Sequence, residues 1–520
     1  MKKKYTWVVF SVFSAYFAML WLLVYAESFS PDANILSLKD ALWYSLVTLT
    51  TVGYGDLSPV TAVGKVIGGV FLLLSTSLLA ILVALAITFG QLLTRLRLWL
   101  AQSEQWYVFS TVNRAAITLA GGIAEENKNA VLVFPKDDNK DFTSRLKKLG
   151  ANMVKGSVDD ILLLKKDTAG TNLFFMSDDG YANYRDALRF SGKNLVIFCK
   201  SDFNIQSAPA DITFFSRSES CARLYWNSNP LPRSTKNVVI IGDGACADAV
   251  LAQALQVNIF RPDQSINYYV FSKNHSFIKL HPQLSQQIAI NKSSECSDSL
   301  WLYPYSWEDG TDIVMAADRV IICCEKDEDN LKIYSSLTEY FALSADVHLR
   351  LYDDMPGVHS FGSHSRLYTP AMVMRTTLAK TAAAMHRIYL DSTGAASPRW
   401  EELSPFTRRS NISAADHLQT KIRILMDDDT ITAIDSNICR QAFEKYMETK
   451  AENSDFYRSL EHSRWMRFHA LYNWTYAPQR DNSRRRHPSM VPFAQLDKAT
   501  QSKDDYSWQL LEPLADFLDN

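Results

Sequence analysis

The sequence predicts two membrane-spanning α-helices with a short re-entrant helix between them, then two parallel α/β lobes, then a mainly α-helical C-terminal region. Three observations carry this. Two uncharged apolar runs, Val8 to Tyr25 and Val66 to Leu93, lie within the first hundred residues. Beyond Trp106, short β-branched runs alternate with helical stretches, and from Pro370 helical patterns dominate. With 520 residues, 47% hydrophobic and 21% charged, the chain suits several folded domains and excludes disorder. A formal net charge of -2 and a pI near 6.6 exclude a protein that holds nucleic acid through bulk positive charge. Seven cysteines, none in the first hundred residues and none in CxxC spacing, indicate a reducing compartment with no disulfide frame or zinc site.

The first run, VVFSVFSAYFAMLWLLVY, gives about 18 uncharged residues, enough for one bilayer crossing, and the second gives about 28. The first follows Lys2, Lys3 and Lys4, but it is too long and too aromatic for a cleaved signal and lacks a small-x-small cleavage site. Lys2 to Lys4 before the first run and Arg95 and Arg97 after the second place both termini in the cytoplasm by the positive-inside rule. Tyr5, Trp7, Trp21 and Tyr25 near the ends of the first run suit the two interfaces.

Between the runs, Ser37 to Asp56 reads SLKDALWYSLVTLTTVGYGD. A helix too short to span stops at a Gly-x-Gly turn, which fits a re-entrant helix and loop. Selecting a dehydrated monovalent cation requires rings of carbonyl oxygens, and alternating glycines permit the dihedrals that aim successive carbonyls the same way. Thr51, Val52, Gly53 and Tyr54, followed by Gly55, would supply such carbonyls. One chain gives a quarter of the ring, so the arrangement requires a homotetramer. TTVGYGDLSPVT resembles the filter and outer mouth of prokaryotic two-span potassium channels, and residues 1–100 resemble their pore. The resemblance implies that Trp43 and Tyr44 form an aromatic cuff and that Asp56 accepts a hydrogen bond from Trp43. Val47 stands where some relatives carry a pore-helix Glu. The usual hinge glycine aligns with Ser75, while Gly68, Gly69 and Gly90 offer displaced bends; for Gly68 and Gly69 close helix packing is an equal reading.

Strand signals begin at Tyr107, Val131, Asn172 and Asn194, and again at Val238, Tyr268, Arg319 and Val347, implying two Rossmann-like lobes at 101–232 and 233–370. In the second, VVIIGDGACA places Gly242, Gly244 and Ala247 where a strand turns into a helix, as a nucleotide-binding turn does. The acidic residue expected after the next strand is absent, with Ser272, Lys273 and Asn274 there instead. In the first lobe the turn is reduced to Ser110, Val112 and Ala115. Scaffold sheets are therefore favoured over dinucleotide enzymes, with ligand binding left open in the second lobe. The pair resembles RCK domains (regulators of potassium conductance), which implies a cytoplasmic ring that pulls on the inner helices. Asp178 and Asp179, or Asp327, Glu328 and Asp329, are candidate ligands for a regulatory divalent cation, against the plainer reading of solvated carboxylates.

Residues 371–455 form a helical connector without assigned chemistry. Residues 456–520 combine Trp465, Trp474 and Tyr476 with Arg480, Arg484, Arg485 and Arg486, groups that suit an anionic ring-containing ligand or else an aromatic core beside a solvated turn. The string EHSRW, then NWTY, RD and HP, resembles the RyR domain of ryanodine receptors. Together these resemblances imply a ligand-gated potassium channel in the plasma membrane of a prokaryote, gated by a small intracellular ligand, nucleotide or cation, and not an enzyme. The alternatives are a membrane-tethered redox or nucleotide enzyme, which lacks a catalytic constellation, and the nucleotide-sensing subunit of a transporter, which would carry no filter.

Overall fold

The structure is a computed structural model that describes residues 2–203, 208–209, 211–273, 276–374, 377–393 and 398–519, with side chains undescribed at 2–13, 75–91, 377–378 and 392–393. The chain forms two compact units, Met1–Ala101 and Gln102–Asn520.

In the first unit, α1 (Lys2–Glu27) and α3 (Ala62–Leu100) flank the short α2 (Leu38–Leu49). Ser37 starts α2 through a capping box, its hydroxyl accepting from Asp40 N–H while the Asp40 carboxylate accepts from Ser37 N–H at 2.9 Å. Leu20, Leu23, Ile35, Ala41, Ile67 and Phe71 form the buried core that joins the three helices. Among the described residues no helix is long and apolar enough to cross a membrane. Both uncharged runs extend into residues whose side chains are undescribed, at 8–13 and at 75–91.

The second unit holds two all-parallel sheets. The first comprises β1 (Trp106–Phe109), β2 (Val131–Pro135), β3 (Asn152–Val154), β4 (Asn172–Phe175), β5 (Val196–Lys200) and β6 (Ile212–Phe215), in the order β3-β2-β1-β4-β5-β6. This is the doubly wound order, and every described pairing in it is parallel. Phe134, Phe109, Phe174 and Phe198, one from each of four neighbouring strands, stack face to face at 4.3, 4.8 and 5.0 Å.

The second sheet comprises β7 (Asn237–Ile241), β8 (Asn267–Phe271), β9 (Ala289–Ile290), β10 (Ser299–Tyr303), β11 (Arg319–Ile322), β12 (Asp346–Arg350) and β13 (His359–Phe361), in the order β13-β12-β11-β7-β8-β10-β9. All eight expected strands are present. The strands added by the structure, β3, β6, β9, β10 and β13, extend the sheets. The lobes share a core where the helix Arg217–Ser228 packs on the helix Ala245–Val257, with Trp226 Nε1–H donating to the Val250 carbonyl at 2.9 Å.

Buried charges fasten the C-terminal helices to both lobes and to one another. Arg223 makes two 2.7 Å hydrogen bonds to Asp416, which also accepts from Gln253 at 2.8 Å. Arg467 reaches Asp298 at 2.5 Å, and Glu461 is shared by Lys421 at 2.7 Å and Arg464 at 2.6 Å. Removing one member of such a pair strands the other in a low-dielectric interior, at a cost of about 3–5 kcal/mol. The expected junction between 455 and 456 falls inside one helix, Ser436–Leu471, and residues 456–519 lie in the same compact unit as the lobes.

Candidate functional sites

The loop after α2 is shaped by two glycines and a threonine. The Val47 carbonyl accepts from both Val52 N–H (3.0 Å) and Gly53 N–H (3.2 Å), so the chain reverses as soon as the helix ends. Thr51, Gly53 and Gly55 have positive φ, 60°, 59° and 73°, while Val52 and Tyr54 between them do not. This alternation turns successive carbonyls toward the same side, the arrangement a row of cation-coordinating oxygens needs. The C-terminal end of α2, with its partial negative charge, adjoins the loop and favours a cation there. Thr51 to Asp56 are all exposed in the single chain.

Trp43 Nε1–H donates to Asp56 Oδ2 at 2.8 Å, and the Trp43 ring stacks on Tyr54 with planes 5° apart. Tyr44 instead packs against α3: a Cβ on Gly68 would stand 2.5 Å from its hydroxyl, and its ring meets Phe71 edge-on. Gly68 is thus a close-approach position, whereas nothing lies within 4 Å of a Cβ on Gly69. The helix α3 continues through Ser75 and Gly90, which lie outside the residues described with side chains.

Sequence reasoning missed Glu27. Fully buried, its carboxylate accepts from Val60 N–H and Thr61 N–H at 3.0 Å each and from the Thr61 hydroxyl at 2.6 Å, tying α1 to the start of α3. The only local signal is a lone acidic residue at the end of an apolar run.

In the second lobe Gly242 and Gly244 stand between β7 and the helix Ala245–Val257, where Ala247 is buried. No side chain caps this helix. A Cβ on Gly242 would lie 2.6 Å from the Cys323 carbonyl carbon, and one on Gly244 2.3 Å from a Glu325 carboxylate oxygen. The carboxylate of Asp243 accepts from the Ser272 hydroxyl and from Lys273 N–H at 2.7 Å. Asp248, on the first turn of the helix, has its pKa pushed up to about 6 by burial and by Asp243.

A cleft of about 420 Å³ opens beside this turn, lined by Asp243, Glu325 and Asp329 as well as Lys273, Lys326 and Lys332. Carboxylates and ammonium groups thus line the same cleft, with Asp243 and Glu325 the acids beside the glycines. The first lobe differs: the Asn113 side chain accepts from Ala116 N–H at 2.8 Å and caps α4 (Arg114–Glu126), closing the equivalent position.

Four of the five acidic candidates are engaged locally, and the fifth, Asp329, lines the cleft just described. Asp178 pairs with Lys200 at 2.7 Å and Asp179 caps the helix Gly180–Leu188. Asp327 accepts from Tyr352 N–H at 2.8 Å, and Glu328 pairs with Lys332. Among the described residues they form no metal-ligating group.

In the C-terminal segment Trp474 is buried, stacked on Phe406, and Trp465 lies against His469 at 3.8 Å. Arg485, with φ of 53°, donates to the Tyr472 carbonyl at 2.7 Å. Tyr476, Arg480, Arg484 and Arg486 are exposed around the turn between β14 (Thr475–Tyr476) and β15 (Arg486–His487).

At the N-terminal end, residues 6–91 match the family described as "Ion channel". A voltage-gated potassium channel of Aeropyrum pernix is 51% identical over 53 residues, 10% of this chain and 18% of its own length. The potassium voltage-gated channel protein Shal of Drosophila melanogaster is 43% identical over 63 residues, 12% of this chain and 11% of its own. The chain therefore spans less than a fifth of the length of these curated relatives. Among solved structures, GsuK bound to ADP aligns over 71% of this chain and 97% of its own at 14% identity and a TM-score of 0.34, and the GsuK channel bound to NAD at 12% and 0.32. A likeness at that level carries no conclusion about ligand or assembly.

Proposed function

We propose that the chain is one subunit of a homotetrameric potassium-selective channel of a prokaryotic plasma membrane, with both termini cytoplasmic. The observation that carries this reading is the alternation of positive and negative φ from Thr51 to Gly55, in a loop braced by the Trp43–Asp56 hydrogen bond. Residues 1–100 are the pore, 101–232 and 233–370 the RCK-like lobes, 371–455 a connector and 456–520 an RyR-like module. The lobes gate the pore in response to an intracellular ligand, and the module is a second sensor through the exposed Tyr476, Arg480, Arg484 and Arg486.

For the ligand of the second lobe, a cation is favoured over a nucleotide because Glu325 stands over Gly244 and Asp243 beside it. Potassium flux into liposomes containing the full chain tests this. Flux that rises or falls with calcium, is indifferent to adenine nucleotides and loses its calcium response in Glu325→Gln supports the reading. Control by nucleotide alone contradicts the cation assignment, and absence of flux under all ligands contradicts the channel.

A further inference from the structure

The free edge of the second sheet brings together two histidines and an aspartate with no part in the sites above. Asp346 and His348 are two residues apart on β12 and so share a face. Parallel pairing sets His359 of β13 directly beside His348. The outcome is convergence: one ligand atom from each of the three lies within 4.8 Å of the others. His348 Nε2 is 2.6 Å from Asp346 Oδ2, and His359 Nδ1 is 2.8 Å from Asp346 Oδ1. His348 is buried and fixed in the sheet, whereas His359 is exposed where a cleft of about 520 Å³ opens.

We propose that Asp346, His348 and His359 are the protein ligands of a divalent transition metal of the zinc class, with a further coordination position open to the cleft. Two imidazoles and one carboxylate are borderline donors that suit zinc, cobalt or nickel, while calcium takes six to eight oxygens, which this cluster lacks. Metal–ligand bonds of 2.0–2.2 Å in a tetrahedron place neighbouring ligand atoms roughly 3.3 Å apart. The hydrogen-bonded separations are shorter by roughly 0.5–0.7 Å. Opening them requires only that the exposed His359 and the half-exposed Asp346 rotate about a stationary His348.

One group opposes the metal. Arg319 Nη2 lies 3.5 Å from Asp346 Oδ2, and its Nη1 is held by the Asn229 carbonyl at 3.1 Å. This fixed cation competes for the carboxylate, so the site releases its metal more readily than a closed structural site does.

The test uses the full chain in detergent, stripped by chelator and equilibrated with zinc, with bound metal counted per chain by mass spectrometry. One zinc per chain is expected, with binding about 100-fold weaker in His359→Ala and in Asp346→Asn. His359 is exposed, so its removal separates loss of ligation from loss of fold. With cobalt in place of zinc, visible bands of a nitrogen and oxygen site are expected, without thiolate charge transfer. Wild-type protein that binds no zinc, binding unchanged in both variants, or a cobalt form dominated by thiolate would each overturn the proposal. Calcium bound at the same stoichiometry and lost in the same variants would overturn the choice of metal class.

Discussion

Gly53 and Gly55 in the loop after α2, and Gly242 and Gly244 after β7, all have positive φ, yet their surroundings differ. Nothing lies within 4 Å of a Cβ on Gly53 or Gly55, whereas a Cβ on Gly242 or Gly244 would collide with Cys323 backbone or the Glu325 carboxylate. The first pair is required by backbone conformation alone, in a loop exposed in the single chain. The second pair is required by close packing inside a folded lobe. A glycine motif in a sequence thus reports two separable things, a dihedral and a neighbour, and only the first bears on presenting carbonyls to an ion.

Five substitutions break or sharpen this contrast, beginning with the largest effect. Gly242→Ala should destabilise the lobes by about 3 kcal/mol, since backbone cannot move aside as a side-chain tip can, and should appear as a lowered melting temperature. A melting temperature equal to wild type would mean that the turn relaxes freely. Gly53→Ala should cost only about 1–2 kcal/mol of backbone strain and leave the melting profile nearly unchanged, while abolishing discrimination between potassium and sodium. Unaltered selectivity would detach the filter from its dihedral pattern.

Trp43→Phe keeps the stacked ring and removes the hydrogen bond to Asp56, for a loss of about 1 kcal/mol at this exposed rim. A double-mutant cycle with Asp56→Asn should show the two effects to be coupled, and additivity would separate them. The smallest effect concerns charge. Because the folded pKa of Asp248 is raised to about 6, the folded protein binds more protons than the unfolded chain from the ordinary carboxylate range up to that value. Stability therefore falls as pH rises through this window, and the penalty is fully present above it. Asp248→Asn should raise the melting temperature near neutral pH and flatten its dependence between about pH 4 and 6. A variant that melts lower at neutral pH would show that the carboxylate is needed in its charged form.

Much of the fold was legible because its signals are local. VLVF, NLFFM and VVIIG announce buried strands, and all eight expected strands fall in the two sheets. The missed strands are short, as β3 and β9 are, or mixed in pattern, as SLWLY is in β10. Of the candidate site, Trp43 and Asp56 meet as the resemblance implied. Of the candidates for ligand binding, Trp474 is buried against Phe406 and Arg485 donates to the Tyr472 carbonyl, while Tyr476, Arg480, Arg484 and Arg486 are exposed. Their residue types suit packing and ligand binding alike, and the partner that buries Trp474, Phe406, lies far off in the sequence. Arg467 with Asp298 and Glu27 with Thr61 were illegible for the same reason: 169 and 34 residues separate the partners, and no periodicity encodes a cross-chain pair.

The central claim is that the Thr51–Gly55 loop lines a potassium-selective pore, and the reversal potential of currents through the full chain in planar bilayers under opposed potassium and sodium gradients tests it most directly. The account predicts a reversal near the potassium equilibrium potential in wild type and a shift toward zero in Gly53→Ala. A wild-type reversal midway between the two ions, or one that Gly53→Ala leaves in place, would contradict it.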